Sequence, residues 1–113
     1  MTNTNFLAIA KRTFALEISA LTTLEQALDD QFNQACLLLL GCKGRVVVTG
    51  MGKSGHIAHK IAATLASTGT PAFFVHPGEA SHGDMGMITG ADVVIALSNS
   101  GEVNEIVSLL PLI

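Results

Sequence analysis

The sequence predicts an α/β fold: a three-layer αβα sandwich around a parallel sheet, preceded by N-terminal helices. Three observations carry this expectation. Val46-Val47-Val48 is β-branched and apolar at every position, the mark of a strand covered on both faces, as parallel strands are. From there onward strand-like and helix-like segments alternate, an order that calls for parallel strands and right-handed crossovers. Two strands run straight into loops rich in glycine and hydroxyls, Gly50-Met51-Gly52-Lys53-Ser54-Gly55 and Ser98-Asn99-Ser100-Gly101-Glu102, and a helical pattern follows each.

The elements follow in order. Asn5 to Asp30 reads as helix, because Phe6, Ile9, Ala10, Phe14, Ile18, Leu21, Leu24, Ala27 and Leu28 recur at three- and four-residue steps. A second helix runs from about Asp30 to Leu40. Its Leu37–Leu40 run is apolar all round, which predicts burial on several sides, and Gly41 and Gly44 bracket the turn that ends it. Arg45 to Thr49 is the first strand. Ser54 to Thr68 is helical and stops at Gly69-Thr70-Pro71. Ala72 to His76 is the second strand, and Pro77 to Asp84 is a polar, glycine-rich loop with room for only a short element before Gly90. Asp92 to Leu97 is the third strand, and Glu102 to Leu110 begins another helix. Residues 1–43 thus form a helical arm and residues 44–113 the N-terminal portion of an α/β domain. Three strands are narrow for this class, so further strands are expected beyond residue 113.

Composition narrows the function. Of the 113 residues, 49% are hydrophobic and 13% charged, against about 25% charged in ordinary domains. That apolar excess predicts burial against partner subunits. Six Lys and Arg face nine Asp and Glu, a net charge of −3, and Trp and Tyr are absent. There is no basic run and little to stack bases on, which excludes a nucleic-acid partner. No apolar run approaches the roughly 18 residues of a membrane span, so no membrane partner is expected. Cys36 and Cys42 match no common zinc or redox spacing and read as reduced thiols of a cytoplasmic protein.

The two loops point to a phosphorylated ligand, since a strand-to-helix turn gathers hydroxyls and free N–H groups where the helix dipole favours an anion. Gly50-x-Gly52-x-x-Gly55 has the letters of a dinucleotide fingerprint, but the next strand ends in His76-Pro77 where an acid should meet the ribose. A Walker A loop would need glycine at Val47. Both nucleotide readings fail on these residues. A tight turn explains Gly50 and Gly52; it does not explain Lys53 and Ser54 at the helix start.

Titratable groups surround the loops. His82, in Ser81-His82-Gly83-Asp84, is either a plain surface residue or a proton-transfer group with a near-neutral ordinary pKa. His56 and His59 lie three apart on one helix but lack a third ligand at metal spacing, so they read as a solvated or interface surface and no metal or cofactor is expected. Glu102 and Glu105 open the last helix. Acids there complement the dipole, yet Glu105 would also project toward whatever Ser98 and Ser100 hold, as a general base. Glu79 is a weaker candidate of the same kind.

Five segments, in order and in register, carry a family resemblance: Gly50-Met-Gly-Lys-Ser-Gly-His56, Ala66-Ser-Thr-Gly-Thr-Pro71, Phe74-Val-His-Pro-Gly-Glu-Ala80, His82-Gly-Asp84 and Ser98-Asn-Ser-Gly-Glu102. Residues 44 to 110 resemble the sugar isomerase (SIS) domain. The resemblance implies a flavodoxin-like sandwich with a five-stranded parallel sheet. It also implies reversible aldose–ketose isomerisation of D-ribulose 5-phosphate and D-arabinose 5-phosphate through a cis-enediol, on the way to the Kdo sugar of lipopolysaccharide. By position, Ser54, Ser98, Asn99 and Ser100 would hold the phosphate, with Gly52 and Gly101 in the same loops. Glu105 would move the carbon proton, His82 would serve ring opening or an oxygen, and Lys53 would stabilise charge. Val103 stands where such loops usually carry Ser or Thr, one hydroxyl fewer. The family implies a homotetramer and, beyond residue 113, a further acid, a further histidine and paired CBS domains. A non-catalytic sugar-phosphate sensor is the competing class, but such regulators carry a DNA-binding helix-turn-helix for which the first 40 residues are too acidic and apolar.

Overall fold

The computed structural model describes residues 3–80 and 84–99. The chain divides into two compact units, residues 1–36 and 37–113. In the first, helix α1 covers Phe6–Ala27. Asn5 starts it: its side-chain oxygen accepts the Ala8 N–H at 3.0 Å, as an N-cap does. Leu28 ends it in an extended conformation, ψ 138°. The sequence pattern ran the helix on to Asp30, but Asp29 caps the next one instead, accepting the Gln31 N–H at 2.9 Å. A residue in that role needs non-helical backbone, so the chain breaks there. Helix α2 follows over Asp30–Leu40.

No residue of α1 is buried. Phe6, Phe14 and Leu21 are 77%, 67% and 64% exposed. The leucine run of α2 corrects an expectation. Leu37, Leu38 and Leu40 are exposed, and Leu39 alone of the four packs on the core.

The second unit is built on strand β1, Val46–Gly50, with β2, Ala72–Phe74, and β3, Val93–Leu97. The order is β2-β1-β3, with both pairings parallel. Helix α3, Gly52–Ser67, makes the β1-to-β2 crossover, and the one-turn helix α4, Pro77–Ala80, precedes a 3-10 turn at Asp84–Met87. Alternation along β1 sends its side chains both ways. Val46 and Val48 meet Ala58 and Ala62 of α3, with Leu65, Phe74 and Ile95 around them. Val47 meets Val75, Phe73, Ile88 and Val94 on the opposite face. All three valines are fully buried, each contributing roughly 1.5–3 kcal/mol. On that second face the Arg45 guanidinium lies 4.3 Å from the centre of the Phe73 ring and donates to the Met87 carbonyl at 3.1 Å. The continuous β-branched run is covered on both faces, as its composition predicted, and it is the central strand of the three.

Asp92 locks the amino ends of β1 and β3. Its carboxylate accepts the Arg45 N–H at 2.7 Å and the Thr89 N–H at 2.8 Å. The Arg45 N–H, and after it the Thr89 N–H, hold the carboxyl below its ordinary range, outweighing what burial does in the other direction. A carboxyl whose folded value lies below its unfolded value, about 3.9, adds stability above that pH and loses it as the pH falls through the folded value. Asp92→Asn is therefore expected to weaken the fold at neutral pH and to shrink the acid-dependent loss. Urea unfolding of both proteins between pH 2 and pH 6 checks this; parallel curves would deny Asp92 the role.

Candidate functional site

The carboxyl ends of the strands are where this topology opens. β1 continues to β2 on one side, and the chain then crosses to β3 on the other, so the sheet changes direction between β1 and β3. Ligands of open α/β sheets bind in the crevice outside such a switch point. The register makes the juxtaposition specific: Gly50 pairs with Leu97, so the loops after β1 and β3 leave the sheet side by side at one level.

The first loop turns at once into α3. Gly52 has φ +56°, in the region that favours glycine, and Met51 at the N-cap makes no side-chain cap bond. A methionine cap supplies no acceptor to the first-turn N–H groups, which leaves that end of the helix suited to an anion. Lys53 is exposed and Ser54 half-buried in that first turn, because the helix begins two residues before the Ser54 start that the sequence pattern gives. Gly50 and Gly55 let strand and helix approach: a Cβ on Gly55 would lie 2.7 Å from the Gly50 carbonyl oxygen. From the second loop, Ser98 is half-buried and Asn99 exposed. The structure thus brings Gly52, Lys53 and Ser54 to the same sheet edge as Ser98 and Asn99. Ser100, Gly101, Glu105 and His82 lie outside the described residues.

A pocket of about 250 Å³ opens beside the first loop, lined by Gly50, Gly52, Gly55, His56, His59, Phe74 and His76. Its histidines and Phe74 are the residues that sequence reasoning left out of the site. His59 stacks on Phe74, ring centres 3.7 Å apart and tilted by 32°. His76 served in the sequence only to exclude a dinucleotide. Its place at the carboxyl end of a parallel strand was the signal that marks it. Among the described residues no group of three or more His, Cys, Asp or Glu is arranged to hold a metal. No helix among them is long and apolar enough to cross a membrane.

A parallel three-stranded sheet with a crossover helix, and with glycine- and hydroxyl-bearing segments leaving the carboxyl ends of two adjacent strands, defines a domain of the open α/β class. The SIS domain matches residues 39–113, and the chain belongs to that family. It is 67% identical over 111 residues to the arabinose 5-phosphate isomerase KdsD of Pseudomonas aeruginosa, covering 98% of this chain and 34% of the relative. It is 57% identical over 109 residues to the enzyme of the same name from Escherichia coli K12, covering 96% of this chain and 33% of that one. An E. coli CFT073 protein solved in complex with arabinose 5-phosphate superposes with a TM-score of 0.90 at 47% identity, over 99% of this chain and 60% of that one. The chain spans about a third of the length of the curated relatives it matches.

Proposed function

We propose that the intact protein carrying this chain interconverts D-arabinose 5-phosphate and D-ribulose 5-phosphate. The observation that carries the reading is the Gly50–Leu97 pairing, which sets the Ser54 and Ser98 loops together at one sheet edge. The similarity to arabinose 5-phosphate isomerases supplies the substrate class. In this reading Ser54, Ser98, Asn99 and Ser100 bind the phosphate with the main chain of Gly52 and Gly101. Lys53 offsets negative charge on the substrate. Glu105 transfers the proton between C1 and C2 through a cis-enediol, and His82 serves the ring oxygen or the carbonyl. In this reading the arabinose 5-phosphate formed is the precursor of Kdo in lipopolysaccharide, and the reaction is cytoplasmic. Incubating the intact protein with arabinose 5-phosphate and measuring ribulose 5-phosphate tests the reading; absence of conversion in a folded sample refutes it.

Assembly belongs to the same proposal. The exposed apolar positions of α1 are covered in a homo-oligomer, a tetramer as in the family, with residues 1–43 as its arm. Burying about 400 Å² of such surface contributes about 10 kcal/mol before association entropy. Sedimentation equilibrium of the intact protein is expected to give a multiple of the monomer mass, and a monomer at tens of micromolar would refute it.

A further inference from the structure

We infer that His76 contacts the substrate, its Nε2–H donating to an oxygen of the sugar; this rests on the sugar-phosphate reading above. A histidine after a strand ordinarily keeps its rotamer freedom in water. Three hydrogen bonds and a buried neighbour fix its backbone and hold its ring here. The Val75 N–H donates to the Val48 carbonyl at 3.0 Å, pinning the chain to β1 up to the residue before His76. The hydroxyl of buried Thr49 donates to the Val75 carbonyl. Pro77, on the other side, is fully buried. The ring itself accepts the Gly78 N–H on Nδ1 at 3.1 Å. A nitrogen that accepts a hydrogen bond carries no proton, so the neutral ring holds its proton on Nε2. Backbone, ring position and tautomer are all fixed, yet the residue stays exposed. That is the preorganisation a binding group needs and a surface residue does not.

What the ring faces follows from the pocket. His76 lines it together with Gly50 at the end of β1 and with Gly52 and Gly55, which flank Lys53 and Ser54 in the first turn of α3. A volume of about 250 Å³ is several times the roughly 30 Å³ of one water, room for a short polyol beside the phosphate loop. The contacting His59 and Phe74 rings line the pocket beside it, and His76 adds a donor whose proton position is set by the bond at Nδ1. Such a pairing suits the carbon chain and hydroxyls of a sugar more than a bare anion. Thr49 is a positioning residue in this account, acting through Val75.

Two amide substitutions in the intact protein separate the roles of the two ring nitrogens. The amide of His76→Asn reaches the place of Nδ1, keeping the acceptor for Gly78 and losing the Nε2–H. The amide of His76→Gln reaches the place of Nε2, keeping a donor there. His76→Asn is expected to raise KM for arabinose 5-phosphate about tenfold, with Tm and the inhibition constant of inorganic phosphate unchanged, as for one lost hydrogen bond to substrate. His76→Gln is expected to stay within about threefold of the parent. Parent-like KM in both variants overturns the proposal. So does an equal loss in both with lowered Tm, which means a structural role, and so does weakened inorganic phosphate inhibition, which means a phosphate contact. Calorimetry with arabinose 5-phosphate separates this from the reaction assigned above. If the parent binds the sugar without turning it over, the reaction fails while the same order of affinities still supports His76. If the parent binds neither pentose phosphate, both fail.

Discussion

Glu105→Gln in the intact protein is expected to stop exchange of the C1 or C2 hydrogen with deuterated water and to lower kcat by about 10²–10⁴-fold, the range of general-base contributions. Position is the basis. Glu105 follows the Ser98–Glu102 loop, and that loop leaves β3 opposite Gly50. In the proposed reading Glu105 opens the helix expected after that loop and is carried toward the ligand assigned to it. A carboxylate beside a bound dianion is also made more basic, which suits it to take a carbon-bound proton. The amide keeps the shape and removes the basicity, so sugar-phosphate affinity is expected to change little. Exchange at a rate near that of the parent would move the base elsewhere. Loss of both exchange and affinity would instead make Glu105 part of the binding site.

Much of the fold was legible because the signals were local. Val46-Val47-Val48 announced a two-sided strand, and the structure places it at the centre of the sheet with every side chain buried. Boundaries were less legible because they depend on competition between neighbours. Asp29 has the chemistry of a helix interior as well as of a cap, and its bond to the Gln31 N–H decides the matter. Leu37–Leu40 misled for a different reason: apolar composition shows that a face seeks cover, and in this chain only Leu39 finds it. At the candidate site, the side-by-side placement of the loops that carry Ser54 and Ser98 was legible in the sequence, whereas the place of His76 beside them was not. Its meaning lies in contacts between segments far apart in sequence, Thr49 with Val75 and the pocket shared with Gly50. A single loop sequence carries no trace of those contacts.

The second large effect concerns the joint between β1 and α3, where Gly55→Val is expected to cost about 3 kcal/mol and Gly55→Ala about 1–2 kcal/mol. A Cβ at position 55 lies 2.7 Å from the Gly50 carbonyl oxygen and 3.8 Å from the Phe74 ring. Alanine would gain roughly 0.5–1 kcal/mol from helix propensity. The clash outweighs that gain, because the atom met first is backbone of the central strand and has no rotamer to escape into. Helix and strand must separate, and the first turn of that helix carries Lys53 and Ser54. Gly55→Ala should therefore weaken sugar-phosphate binding along with stability. Gly52→Ala provides the contrast three residues away. No atom lies within 4 Å of its added methyl, but φ is +56°, so only left-handed strain of about 1–2 kcal/mol is expected. Urea midpoints of the intact variants, read beside affinity for arabinose 5-phosphate, separate crowding from strain. A Gly55→Ala protein as stable as the parent would mean that α3 can retreat from β1 without cost, and close packing at this joint would then not be what sets the loop.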